Sequence, residues 1–225
     1  MTASRFNKSG FLIASMFLLS AAACTSQTSN ALLPEQSALA PSPNPSASSS
    51  PFPASLRSAT LSPQGFGAIQ VGMTVEAAAQ AAGMPLIALD GSAPHIHESC
   101  SYVKLQDGLE GLDFMLKGDR IVRVDVRSHV IREIKGQPME VDLTNKVSQV
   151  TTQSGAKVGD TEAQIQALYP GQVQVSNHKY VTGGHYLTVA PANSNSRLIF
   201  ETNGDRVTSI RAGQLPEVEW VERCG

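Results

Sequence analysis

The sequence predicts an α+β fold made of two tandem units, each a short helix packed on an antiparallel sheet of three to four strands. Three observations lead to this prediction. Two sequence blocks recur at nearly one spacing, a helix-start pattern opens each copy, and a hairpin pattern follows it. A helix layer packed against a sheet layer buries the apolar sides of both elements.

The internal repeat consists of two pairs of matching segments. Val71-Gly72-Met73-Thr74 recurs as Val158-Gly159-Asp160-Thr161, displaced by 87 residues. Leu112-Asp113-Phe114 with Gly118-Asp119-Arg120-Ile121 recurs as Leu198-Ile199-Phe200 with Gly204-Asp205-Arg206-Val207, displaced by 86. Matching displacements indicate a duplicated supersecondary unit. They place the first repeat at residues 64–145 and the second, with a C-terminal tail, at 146–225.

The first 23 residues have the three parts of a signal peptide. Arg5 and Lys8 form the positive region, residues 11–19 the apolar region, and three alanines at 21–23 a cleavage site. The apolar run is too short to span a bilayer. We therefore expect an exported protein.

Cys24 follows the alanines directly, and Leu18-Leu19-Ser20-Ala21-Ala22-Ala23-Cys24 resembles the lipobox of bacterial lipoproteins. The resemblance implies that lipid on Cys24 anchors the mature chain to a membrane. Thr25 is not the aspartate associated with inner-membrane retention, so we expect the outer membrane, facing the periplasm, where the cell has one. Ordinary secretion with a free Cys24 is the alternative.

Residues 24–63 comprise the lipidated cysteine and a linker rich in serine, alanine and proline. This composition supplies few large apolar groups, which predicts disorder. The mature chain keeps 15 of the 17 basic residues and all 19 acidic ones, a net charge of −4. Nucleic acid is therefore not an expected partner.

Each repeat opens with a predicted helix and continues with a predicted hairpin. Thr161 and Gln164 form a capping-box pattern, Thr74 and Glu76 mark the other start, and Gly83 ends the first helix. The hairpins are placed at 111–116 with 120–127, and at 197–202 with 206–211. Asn203-Gly204 predicts a type I′ turn. Further strands are expected at 102–105, 172–175 and 185–190.

The pattern Gly72-Met73-Thr74, a short helix and a Gly-Asp hairpin resembles the repeats of β-lactamase inhibitor protein. It is also similar to the domain of small outer-membrane lipoproteins that accompany the barrel-assembly machinery. The likeness covers roughly 65–127 and 152–212. It implies a protein-binding module of the envelope or, alternatively, an inhibitor of a hydrolase such as a β-lactamase or protease.

Cys100 and Cys224 are the two cysteines that remain once Cys24 is lipidated. In an oxidising compartment an even pair predicts a disulfide, here tying the first unit to the tail. Within the tail, alternation predicts an edge strand with Trp220 on one face and Glu217 and Glu219 on the other. Core packing of Trp220 and an aromatic anchor with an acidic rim on a partner-binding surface are both open.

Candidate catalytic and metal-ligating residues are sparse. His95 and His97 would lie on one face of an extended segment, which leaves a metal carrier or an uncharacterised enzyme as a further alternative to an exposed loop. His178 and His185 are a second pair of loop histidines. Ser101-Tyr102-Val103-Lys104 matches the Ser-x-x-Lys pattern in a β-prone segment, without its companion motifs. We therefore expect no catalytic site, cofactor or metal.

The sequence as a whole predicts a non-enzymatic envelope lipoprotein that acts as a protein-binding or scaffolding module. An enzyme needs convergent titratable groups, which this sequence does not display. A rigid sheet surface is sufficient for binding. The expected partners are the membrane, through Cys24, and another envelope protein.

Overall fold

The computed structural model describes residues 53–90, 93–95 and 99–224 of the chain. The predicted signal peptide, Cys24, the linker up to residue 52 and His97 lie outside these residues. All of the described residues belong to a single compact unit.

Short helices and many strands make up the described residues. The α-helices there are α1 (Ala54–Arg57), α2 (Val75–Ala82), α3 (Thr144–Val147) and α4 (Glu162–Leu168). The strands are β1 (Leu61–Ser62), β2 (Gly65–Phe66), β3 (Ile69–Gln70), β4 (Leu86–Ala88), β5 (Ser101–Leu105), β6 (Leu112–Lys117), β7 (Arg120–Arg127), β8 (His129–Ile134), β9 (Gln137–Asp142), β10 (Val173–Asn177), β11 (His185–Val189), β12 (Ser196–Thr202) and β13 (Val207–Gln214). A 3-10 helix, Glu217–Glu219, lies in the tail.

One antiparallel sheet of eight strands organises the fold, in the order β10-β11-β12-β13-β7-β6-β5-β4. Strands β4 to β7 come from the first repeat and β10 to β13 from the second. The two sets join where β13 pairs with β7, with Ile210 opposite Val126 and Ala212 opposite Val124. β1 to β3 form a small separate sheet, and β8 pairs with β9.

The predicted fold class is therefore wrong. The protein is mostly β, with one continuous sheet and few helices, rather than two tandem helix-on-sheet units. The last strand of each repeat would leave unpaired N–H and C=O groups at a sheet edge, and joining β7 to β13 pairs them. The join also merges the two apolar faces, since Phe114 and Phe200 belong to one hydrophobic core.

Both helix starts predicted from the repeat are confirmed. Thr74 caps α2 by accepting from the Ala77 N–H, and α2 ends at Gly83 with φ 70°. Thr161 and Gln164 form the complete capping box of α4. These caps satisfy N–H groups that the first turn of a helix leaves unpaired. None of the described helices is long and apolar enough to cross a membrane.

The turn between β12 and β13 differs from the predicted type I′ geometry. Gly204 has a positive φ of 97°, but Asn203 does not. The Asn203 side chain instead accepts from the N–H groups of Asp205 and Arg206, and the register shifts between Glu201 and Thr202. An asparagine side chain that accepts a hydrogen bond from the backbone N–H two residues ahead forms an Asx turn, which here takes the place of the type I′ turn.

Residues before 64 also take part in the fold. Helix α1 and strand β1 occupy part of the segment assigned to the linker, and Leu56 and Leu61 are buried in the core. Leu61 also makes a parallel bridge to Thr152 of the second repeat. This early segment therefore contributes to packing.

Candidate functional site

The sheet face opposite the helices carries a buried cluster of polar side chains, here called the polar cluster: Tyr102, Arg123, Asp125 and Arg211. The sheet register places Arg211 opposite Asp125 and Gly213 opposite Arg123. A Cβ on Gly213 would lie 2.4 Å from the Val122 carbonyl oxygen, so glycine permits the close approach of β13 to β7 there.

Arg123 is the centre of the polar cluster. Its Nε lies 2.8 Å from Asp125 Oδ1, and both side chains are almost wholly buried. Its Nη2 donates to Asp125 Oδ2 at 3.0 Å and to Tyr102 Oη at 2.6 Å. The Tyr102 hydroxyl in turn donates to Asp125 Oδ2 at 2.7 Å. Burial of these charges is tolerated because each has a close partner.

Tyr102 and Arg123 keep their protons in the polar cluster. Burial raises the pKa of Tyr102, and the Asp125 charge raises it further, so the phenol stays a donor. Burial alone would lower the pKa of Arg123, but the charges and hydrogen bonds of Asp125 and Tyr102 together outweigh burial and raise that pKa. For Arg211 burial is the stronger effect and lowers the pKa, although Glu201 lies 3.0 Å away.

The tail, residues 215–224, crosses the polar cluster as a strap. Arg123 Nη1 donates to the carbonyl oxygens of Glu217 at 2.8 Å and Trp220 at 2.7 Å. Arg211 donates to the same Trp220 carbonyl at 2.5 Å. Charge-assisted hydrogen bonds of this kind are about twice as strong as neutral ones. The two arginines therefore fasten the strap to the sheet.

The predicted disulfide is confirmed. Cys100 and Cys224 are bonded, with Cα atoms 5.5 Å apart and 124 residues between them in the chain. Cys100 directly precedes β5, so the bond attaches the end of the strap to the first repeat. The strap is thus held covalently at its end and by hydrogen bonds along its length.

The tail does not form the predicted edge strand. Glu217–Glu219 is a 3-10 helix, and Glu217 is 3% exposed, with its carboxylate 2.6 Å from Lys117 Nζ. Glu217 is therefore not part of an exposed acidic rim, whereas Glu219 is exposed. Trp220 is 37% exposed, with Lys117 Nζ 5.7 Å from its ring centroid. Alternation failed here because the strap curves over the sheet instead of extending along it.

The histidines have structural contacts. His178 Nδ1 accepts from the N–H groups of Tyr180 and Val181, and its ring stacks on Tyr186. His185 Nδ1 lies 2.8 Å from Glu162 of α4. His95 is exposed and His97 lies outside the described residues. Within the described part of the chain no three potential metal ligands come together.

A hairpin that sequence reasoning missed projects from the sheet. We call it the arm: β8 and β9, joined by Lys135 and Gly136, which both have positive φ as a type I′ turn requires. Most of its residues are exposed on both faces. Ile131 is 69% exposed and Met139 49%, on opposite faces. Large exposed apolar side chains of this kind are typical of interaction sites.

The base of the arm is held by packing and by one carboxylate. Val130 and Val141 pack against the main core. Glu110 forms an ion pair with Arg132 of the arm and lies 3.5 Å from Lys146 of α3. Burial would raise the pKa of Glu110, but the hydrogen bonds and charges of Arg132 and Lys146 together outweigh burial and lower that pKa. The base is thus fixed, while among the described residues the strands of the arm do not pair with the eight-stranded sheet.

Comparisons of the chain with protein-family models, curated proteins and solved structures found no match.

Proposed function

We propose that this protein is a non-enzymatic, lipid-anchored component of the bacterial cell envelope that binds another envelope protein through the arm. The exposure of Ile131 and Met139 on opposite faces of the arm carries this proposal. An isolated two-stranded hairpin is marginally stable in water, so a partner that covers both faces would stabilise it. The signal segment and Cys24 supply the location.

The arm also offers backbone groups to a partner. In the described residues, β8 and β9 pair only with each other, so each strand has one open edge. An extended segment of another protein can add to such an edge, with side-chain contacts giving specificity. Pro138 removes one donor from β9, which makes β8 the better edge for strand addition.

Capture of the partner tests the role of the arm. The double variant Ile131→Asp, Met139→Asp should recover at most about one tenth as much partner from crosslinked envelopes as the wild type does. The reason is that each exposed apolar group contributes about 1.5 kcal/mol or more when fully buried. Val175→Asp is the matched control, since Val175 is a half-exposed strand residue at the other end of the sheet. Equal recovery by all three proteins, with melting temperatures unchanged, would refute the arm as the contact.

Membrane attachment depends on Cys24 in this proposal. Cys24→Ala should move the protein from the membrane fraction to the soluble fraction or block its processing, because two or more acyl chains give stable anchoring and one gives little. Fractionation of cells with the wild-type and mutant chains measures this. A correctly processed mutant that remains on the membrane would contradict lipidation as the anchor.

A further inference from the structure

A cavity of about 340 Å³ lies where the base of the arm meets the polar side of the sheet. Leu89, which follows β4, and Ile131 of the arm contribute apolar walls, and Lys104 of β5 and Arg127 of β7 contribute basic ones. Its size is at the lower end of the range for ligand pockets. The cavity therefore combines an apolar side with a charged side.

The apolar walls are more exposed than core residues. Leu89 is 38% exposed and Ile131 69%, while Val130 beside them is partly buried against the core. Covering these side chains with an alkyl chain would stabilise a complex by about 25 cal/mol for each Å² removed from water. The apolar walls thus favour a ligand with a hydrocarbon part.

Lys104 has donor capacity that the fold does not use. Lys104 is half-buried and makes no hydrogen bond or ion pair with any residue that the structure describes. Arg127 Nη2 donates to Asp113 Oδ2 within the fold, so Arg127 contributes its positive charge to the wall and Lys104 supplies the open donor. A bound anion would give Lys104 a charge-assisted hydrogen bond.

The acids in the walls are already neutralised. Asp113 contacts Arg127 and Arg223, and Glu110 contacts Arg132 and Lys146. Counting the wall residues alone, three basic side chains face two acidic ones. The excess of one positive charge matches a singly charged anion, such as a carboxylate, better than a phosphate dianion.

We propose that this cavity binds a small amphiphile in which a carboxylate is attached to an alkyl chain. The carboxylate accepts from Lys104 Nζ, and the chain lies along Leu89 and Ile131. Charge-assisted hydrogen bonds orient the ligand, and apolar contact supplies most of its affinity. Ile131 belongs to this cavity and also to the proposed partner-binding arm, so a bound protein partner and the ligand would compete for it. The ligand requires only the folded chain, so a titration of the purified protein tests this site separately from the partner.

Calorimetric titration of the purified full chain with decanoate, below the concentration at which decanoate self-associates, tests the site. We expect saturable binding of one decanoate, and binding by neither decanol nor acetate at the same concentrations. Lys104→Met should weaken decanoate binding about tenfold or more, because one charge-assisted hydrogen bond is lost. Lys157→Met, an exposed lysine outside the cavity walls, should bind as the wild type does.

Two further variants keep the test decisive. Lys104→Arg retains the charge and should keep most of the affinity, which separates loss of charge from a folding defect; melting curves check the fold of each variant. Ile131→Ser should weaken decanoate without affecting the charged end. Absence of saturable binding, equal binding of decanol, or unchanged affinity in Lys104→Met would overturn the proposal.

Discussion

Arg123→Leu should lower the free energy of unfolding by about 3–5 kcal/mol, because it removes the closest counter-charge of a buried carboxylate. Asp125 would remain almost wholly buried, with one hydrogen bond from Tyr102 and a longer ion pair, 4.0 Å, to Arg223. The strap would also lose the donors to the Glu217 and Trp220 carbonyls. Urea unfolding followed by circular dichroism measures the change.

A double-mutant cycle separates the ion pair from the strap contacts. Arg123→Leu with Asp125→Leu should be less destabilised than the sum of the single variants, since neither charge is left alone. Arg197→Leu is the matched control, because among the described residues this partly exposed arginine donates only to the nearby carbonyls of Ser194 and Ser196. A loss below about 1 kcal/mol for Arg123→Leu would contradict its role as the clamp of the strap.

Removing the disulfide should have a comparable effect. The bond closes a loop with a separation of 124 residues, and the chain-entropy model assigns about 5 kcal/mol to such a loop before native-state strain is subtracted. The double variant Cys100→Ser, Cys224→Ser should therefore unfold at markedly lower urea concentration. Reduction of the wild-type protein should shift unfolding by a similar amount.

The region that first loses protection from hydrogen exchange distinguishes a strap held by the disulfide from a general loss of stability. The two repeats share one sheet, so reduction of the disulfide is not expected to separate them. Hydrogen exchange should instead accelerate first in the strap, where Glu222 contacts Lys179 and Tyr180, and last in β7 and β13. Simultaneous loss of protection in the strap and in β7 would contradict a strap that is held by the bond.

Local sequence signals predicted local structure well. Thr74 and Thr161 identified the helix starts, because a helix cap depends on residues that are close in sequence. Cys100 and Cys224 identified the disulfide, because two cysteines allow one pairing. The joining of β7 to β13 was not predictable in this way. The pairing links residues more than 80 apart, and nothing in either strand specifies which edge it will meet.

The polar cluster and the arm were missed for different physical reasons. Arg123 and Asp125 alternate with Val122, Val124 and Val126, a pattern typical of a strand with one solvated face. The strap, which is distant in sequence, covers that face. The arm contains Pro138 and mixed charges, which indicate a connecting loop; its Lys135-Gly136 turn is also less typical of type I′ than Asn203-Gly204.

Photo-crosslinking in intact cells tests the central claim, that the arm is the partner-binding surface, most directly. A photoreactive amino acid at position 131 or 139 should give one discrete crosslinked product with another envelope protein, and the same amino acid at Val175 should give none of that product. Absence of a product from both arm positions, or the same product from Val175, would contradict the account.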